Sequence, residues 1–257
     1  MTYSEKLQRR ITATGSCLCV GLDPRPEFIS GSVRDFLQRV VEETAPFAAA
    51  FKPNSAYFEA SGWEGVRLLE EIRALIPAEI PVVLDAKRSD IGETQRYYAK
   101  AAFEVLAADA VTLNPYLGFD TIEPFLGYAG RALYLLAVTS NAGAADIELG
   151  ILAEGCCVFE RVLKMAVRAA GAATEVGFVI GLTNAAGPVL EKVPDVPLLI
   201  PGFGAQGGDP GALSAQNRSA PLLINASRSI LYARPEQSFA EKARQAAAEI
   251  AAALALR

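Results

Sequence analysis

Between Leu84 and Thr94 the charged residues Asp85, Lys87, Arg88, Asp90 and Glu93 stand close together. Here a short apolar run, Ile80-Pro81-Val82-Val83, gives way to a segment of helical character, Gln95 to Ala108. Side chains alternate faces along a strand, so Asp85 and Lys87 point the same way if the extended path continues. Asp90 and Thr94 are four apart and share one face of the helix that follows. A carboxylate, an ammonium and a second carboxylate held this closely shift one another's ionisation, and such clusters gather at functional sites. Asp90 has a second reading: with Glu93 three residues on, it spells a capping box. A capping residue is held rigidly, so the two duties are compatible.

A second set of residues suits an anion. The loop Pro201-Gly202-Phe203-Gly204-Ala205-Gln206-Gly207-Gly208-Asp209 follows one apolar run, and Ser227-Arg228-Ser229 follows the next. Glycines let backbone N–H groups approach an anion, and a helix starting here adds donors and the positive end of its dipole. Either loop alone reads as tight turns. Together, with Gln206 and Arg228 as side-chain donors, they point to phosphate. Lys52 closes another run; a lysine at a strand end is ordinarily solvated, but an acidic cluster one strand away favours an ion pair. Asp23 either starts the turn at Pro24-Arg25-Pro26 or accepts hydrogen bonds from sugar hydroxyls.

These residues need elements to carry them. Eight apolar segments read as strands: 16–22, 47–51, 81–84, 110–113, 132–138, 177–182, 197–200 and 221–224, most of them β-branched or closed by a turn signal. Helical spacing fills the gaps at 31–44, 63–76, 95–108, 148–170 and 238–256, with shorter segments at 121–128 and 211–216. Strand–helix alternation implies parallel strands joined by right-handed crossovers. Eight such units in this length predict an α/β fold, a (β/α)8 TIM barrel formed by residues 1–257 as a single catalytic domain; a doubly wound open sheet is the alternative. The polar residues decide for the barrel. Asp23, Lys52, Asp85, Asn114, Ser140, Pro201 and Arg228 all follow strand ends. A barrel brings those ends to one mouth, whereas an open sheet leaves several far apart.

Composition narrows the function classes. The chain has 257 residues, 51% hydrophobic, with 24 basic against 29 acidic residues and a net charge of −5. No basic block appears, so nucleic acid has no electrostatic footprint. There is no histidine, and the four cysteines, Cys17, Cys19, Cys156 and Cys157, form no Cys-x-x-Cys. A Ser-His or Cys-His nucleophile is therefore impossible, and no metal is expected. Cys17 and Cys19 read as small core residues in a reducing compartment. The polar start, Met1 to Arg10, carries no signal-peptide pattern, and no apolar run reaches membrane-spanning length. The expectation is a soluble cytoplasmic protein.

The segment Asp85-Ala86-Lys87-Arg88-Ser89-Asp90-Ile91-Gly92 resembles the Asp-x-Lys-x-x-Asp signature of the orotidine 5′-phosphate decarboxylases. Phe51-Lys52-Pro53-Asn54, the loop from Pro201 to Gly208 and Ser227-Arg228 fall in the family's order and roughly at its spacing. The resemblance runs from Gly21-Leu22-Asp23 to Arg228. Asp-x-Lys-x-x-Asp alone is shared with related sugar-phosphate aldolases and decarboxylases; the full set is far more specific. The Lys87-to-Gly92 form and Asn114-Pro115-Tyr116 are similar to the longer bacterial subgroup (type 2). The resemblance implies cofactor-free decarboxylation of orotidine 5′-phosphate to UMP, the last step of UMP biosynthesis, in a homodimer. Lys87 would be the proton donor to carbon 6, Asp85 would sit beside the substrate carboxylate, and Lys52 and Asp90 would complete a charge row. Asp90, Ile91 and Thr94 would reach the neighbouring subunit's site. Asp23 and Lys52 would hold the ribose and Ser140 would read the pyrimidine. Gln206, Arg228 and the backbone at Ser227 would bind phosphate, with Asn114 and Pro201 among the substrate contacts. The rival enzyme is a barrel aldolase with Lys87 as a Schiff base, and carboxylates beside an amine disfavour the neutral form that such a nucleophile needs.

Overall fold

A computed structural model of the chain describes residues 1–185, 187–202, 211–214 and 218–254. Its frame is eight parallel strands: β1 (Leu18–Leu22), β2 (Ala50–Pro53), β3 (Val83–Arg88), β4 (Ala110–Leu113), β5 (Ala132–Val138), β6 (Glu175–Ile180), β7 (Leu198–Ile200) and β8 (Leu222–Ala226). Their order is β2-β1-β8-β7-β6-β5-β4-β3. The two ends of that sheet meet through parallel bridges, Phe51 to Val82 and Asn54 to Asp85. The Phe51 amide donates to the Pro81 carbonyl at 3.0 Å. The sheet thereby closes into a barrel, as the alternating pattern predicts. Strands walled by helices outside and packed side chains inside are buried on both faces, which is why these segments read as unbroken apolar runs.

The helices are α1 (Tyr3–Thr14), α2 (Val33–Thr44), α3 (Ser55–Glu59), α4 (Gly62–Leu75), α5 (Gly92–Lys100), α6 (Ala144–Ile147), α7 (Val158–Arg168), α8 (Gly187–Leu190), α9 (Gly211–Ser214), α10 (Arg228–Leu231) and α11 (Phe239–Ala253). Several differ from the sequence expectation. Of the single helix expected over 148–170 only α7 forms, over 158–168; α6 ends before that range begins. Ahead of α7, Gly155 takes φ +79° and Ile151 bridges Cys157 in antiparallel fashion, so the helix starts only at Val158. The helix over 95–108 starts earlier, at Gly92, and widens into a π-helical turn over Ala101–Val105. Between β4 and β5 the chain makes only 3-10 turns, including Phe119–Thr121 and Glu123–Phe125.

Helix α1 was not expected at all, although its start is marked. Thr2 Oγ1 accepts from the Glu5 amide at 3.1 Å, and Glu5 Oε2 accepts from the Thr2 amide at 2.8 Å. Tyr3, Leu7 and Ile11, four apart, form its buried stripe. This helix crosses the N-terminal ends of the strands. Lys6 pairs with Asp109 ahead of β4 at 2.6 Å, Ser4 bonds Glu175 at the start of β6, and Arg10 donates to the Ala48 carbonyl at 2.9 Å. The Tyr3 and Tyr134 hydroxyls meet at 3.0 Å in the buried interior. One end of the barrel is thus covered, and the strands open toward their C-terminal ends.

Candidate active site

The strand ends open into a cavity of about 780 Å³, within the usual range for a small-molecule site. One wall is ionic. Lys52, on β2, is only 5% exposed, and its Nζ donates to Asp85 Oδ2 at 2.8 Å. From the same strand as Asp85, Lys87 Nζ donates to Oδ1 at 2.6 Å. Asp85 also accepts from Thr112 Oγ1 on β4 at 3.0 Å, and Asn54 Nδ2 lies 3.5 Å from its other oxygen. Burial by itself pushes the Asp85 carboxyl upward, but Lys52 and Lys87 outweigh it and hold the group well below the usual carboxylate range. Burial likewise works against the Lys52 ammonium, yet Asp85 and then Asp23 hold it above the usual lysine value. The pair is ionised at any ordinary pH.

Lys87 reaches this wall by an irregular route. Leu84 pairs with Val111 and Arg88 with Leu113, so four steps on β3 match two on β4. That bulge bends the strand, and Lys87 takes φ +46°, a conformation uncommon for a side chain other than glycine. The expected extended path between Asp85 and Lys87 is therefore not what brings them together. The strand also continues into the charged run, as far as Arg88, rather than ending before it.

Beside this wall, at the ends of β1 and β8, the mouth is polar. Asp23 Oδ1, Asn225 Oδ1, Ser227 Oγ and Ser229 Oγ are buried without a hydrogen-bond partner among the described residues, and all four side chains line the cavity. Buried polar atoms are ordinarily paired, so Asp23 and Asn225 are suited to accept from ligand hydroxyls, and the two serine hydroxyls can donate to anionic oxygens. Close approach here depends on Gly21: a Cβ at that position would lie 2.6 Å from Ser227 Cβ. Arg228 lines the same rim, exposed, and forms no ion pair among the described residues. The helix it starts, α10, has only four residues, so the dipole expected there is small and Arg228 itself is the cation. Tyr232, just beyond α10, ties the two loops: its hydroxyl accepts from the Arg25 amide at 2.6 Å and donates to the Asp23 carbonyl at 3.0 Å.

The other expected residues divide. Ser140, Asn114 and Pro201 line the cavity. Ser140 is presented by a polar clasp in which Glu148 accepts from the Thr139 amide at 2.7 Å and Asn184 donates to the Thr139 and Asn141 carbonyls. Asn114 also accepts from the Tyr116 amide at 3.1 Å, a local turn contact. Gln206 lies outside the described residues. Asp90, Ile91 and Thr94 do not line this chain's cavity. The capping box expected of Asp90 and Glu93 does not form: Ile91 is the cap residue of α5, without a side-chain cap, and Asp90 Oδ1 instead accepts from the Ile91 amide at 2.8 Å. Thr112, Asn54, Asn225 and Tyr232 were missed. For Thr112 and Asn225 the available signal was a lone polar residue inside an apolar strand.

Residues 16–243 match the model of the "Orotidine 5′-phosphate decarboxylase / HUMPS family". Curated orotidine 5′-phosphate decarboxylases of Paracidovorax citrulli and Herpetosiphon aurantiacus are 43% and 40% identical, over 96% and 95% of this chain and equal shares of theirs. Among solved structures, Leishmania donovani OMP decarboxylase superposes with a TM-score of 0.87 at 34% identity, covering 100% of both chains. Leishmania donovani UMP synthase superposes with a TM-score of 0.88 at 37% identity, over 99% of this chain and 57% of that one.

Proposed function

The chain belongs to the orotidine 5′-phosphate decarboxylase / HUMPS family, and from that premise we propose how its residues divide the work. The reaction is decarboxylation of orotidine 5′-phosphate to UMP and CO2, in the final step of pyrimidine biosynthesis. The observation that carries the assignment of roles is the ionic wall Lys52–Asp85–Lys87 beside Asp23, Asn225, Ser227 and Ser229, each with a buried polar atom unpaired among the described residues, around one cavity.

In this reading the ribose lies between Asp23 and Lys52, and the phosphate lies at Arg228, Ser227 and Gln206. The pyrimidine meets Ser140, with Pro201 and Asn114 beside it. The substrate carboxylate then falls next to Asp85 and Lys87. Breaking the bond between C6 and the carboxylate releases CO2 and leaves the electron pair on C6. A proton from Lys87 Nζ forms the new C–H bond, and the lysine recovers its proton from water. No cofactor takes part.

Magnitudes limit what the lysine does alone. One ammonium about 4 Å from the nascent anion, at an effective dielectric near 20, contributes roughly 4 kcal/mol. Enzyme rate gains at the upper end approach about 23 kcal/mol. The remainder has to come from charges fixed before reaction and from binding energy at the phosphate, which positions the ring and excludes water. The structure supports this: Lys52 and Asp85 are buried and mutually locked, so they need no reorganisation when charge moves.

We further propose a homodimer with shared sites. Asp90, Ile91 and Thr94 do not line their own cavity. Ile91 is 65% exposed, as are Tyr97 (67%) on α5 and Tyr116 (74%) on the turn after β4. Large exposed apolar side chains suit a second copy of the chain. No helix among the described residues is long and apolar enough to cross a membrane. Four free thiols fit the cytoplasm, where we place the protein, with neither nucleic acid nor membrane as a partner. The test of function is loss of orotidine 5′-phosphate absorbance on adding protein treated with EDTA; absence of turnover would overturn the reading.

A further inference from the structure

Resting on the decarboxylase reading, we propose that Thr112 is the positioning residue that sets the aim of Lys87. The bulge in β3 removes the Lys87 amide from the ladder, because Leu84 and Arg88 are the paired residues on either side of it. That amide donates instead to Thr112 Oγ1 at 2.9 Å. The hydroxyl's own proton goes to Asp85 Oδ1 at 3.0 Å, the same oxygen that receives Lys87 Nζ at 2.6 Å. One hydroxyl therefore ties both ends of Lys87: its main chain directly, and its ammonium through a shared acceptor. Thr112 is 1% exposed, so water is poorly placed to substitute.

The need for such a tie follows from the backbone. Lys87 sits at φ +46°, where a residue with a Cβ is held only if its surroundings insist. Its side chain is 46% exposed and has one ion-pair partner among the described residues, Asp85. Without the Thr112 bond the amide is left unpaired, the carboxylate loses a donor, and the bent conformation loses its support. The ammonium then samples orientations away from the reacting carbon. Ground-state nucleotide binding rests mainly on the ends of β1 and β8, at Asp23, Ser227 and Arg228, and is spared.

The experiment compares wild type, Thr112→Val and Thr112→Ser for kcat and KM on orotidine 5′-phosphate and for UMP affinity by calorimetry. Valine keeps the branched shape and removes the hydroxyl. The expected result is a fall in kcat of about 10- to 100-fold with UMP affinity within about 3-fold, since small misplacements of a reacting group have effects of that size. Serine, which keeps the hydroxyl, stays within about 3-fold of wild-type kcat. A valine variant as fast as an active wild type overturns the proposal alone, as does a serine variant impaired as much as valine, or parallel losses in kcat and UMP affinity. An inactive wild type removes the decarboxylase reading, and this inference with it. If the valine variant does not fold, Thr112→Cys, a weak donor and acceptor, takes its place under the same criteria; if neither folds, Thr112 serves stability and the proposal falls.

Discussion

Asp85→Asn isolates the ionic wall from the rest of the site. The substitution keeps the shape of the side chain but leaves the Lys52 ammonium, 5% exposed, without its 2.8 Å counter-charge. Coulomb attraction at that separation, at an effective dielectric near 20, is about 6 kcal/mol, and desolvation of the two ions offsets part of it. Removing one member of a buried pair ordinarily costs about 3–5 kcal/mol. Against a total stability of about 5–15 kcal/mol, that loss is large. Urea unfolding monitored by circular dichroism reads it directly. Because the cost is the stranded charge, Lys52→Met/Asp85→Leu should be far more stable than Asp85→Asn, though inactive. A single variant within about 1 kcal/mol of wild type at pH 7 would refute the reasoning, because burial and pairing would then not be coupled as the geometry requires.

The pH dependence of that difference has a defined form. The Asp85 carboxyl is held below its unfolded value, so its contribution is present above about pH 4 and is lost as pH falls further. Lys52 is held above its unfolded value, so its contribution is present below about pH 10 and is lost as pH rises beyond that. The stability gap between wild type and Asp85→Asn should therefore be widest between these limits and narrow at both ends.

Three further outcomes follow from the site. Lys87→Ala should lower kcat by at least about 10³-fold, the usual order for losing a proton-transfer group, while UMP still binds by calorimetry; comparable turnover would remove Lys87 as donor. Arg228→Ala should lower kcat/KM by about 10- to 100-fold, as for one charge-assisted bond to an anion, and unchanged steady-state kinetics would remove Arg228 from the phosphate site. Mixing inactive Lys87→Ala and Asp90→Ala proteins should restore about a quarter of wild-type activity, because half of the randomly assorted dimers then hold one intact shared site; no recovery after subunit exchange would place Asp90 outside the partner's site.

The frame of this fold was legible because its strands are buried on both faces. Segments such as 110–113 and 132–138 carry almost nothing but apolar residues, and those two match β4 and β5 end to end. Polar residues at strand ends marked the mouth for the same reason: in so apolar a frame, Lys52 and Asp85 have to be explained. Helix α1 escaped because its stripe is only Tyr3, Leu7 and Ile11 on an otherwise polar segment, too sparse for a periodicity reading. Its Thr2–Glu5 capping box was readable, and by itself marks a beginning without a face.

The ionic wall shows where the pattern stops informing. Strict alternation places Asp85 and Lys87 on one side of an extended strand. The structure does bring their side chains together, but through a bulge and a left-handed residue that break the alternation between them. A register rule carries no information about a bulge, whose position is fixed by the neighbouring strand. The residue that supports it, Thr112, lies 25 positions away from Lys87 and forms bonds to both ends of the irregularity. Local spacing could name the charged pair. What holds its geometry is a contact between β3 and β4, and such contacts come into being only when the barrel closes.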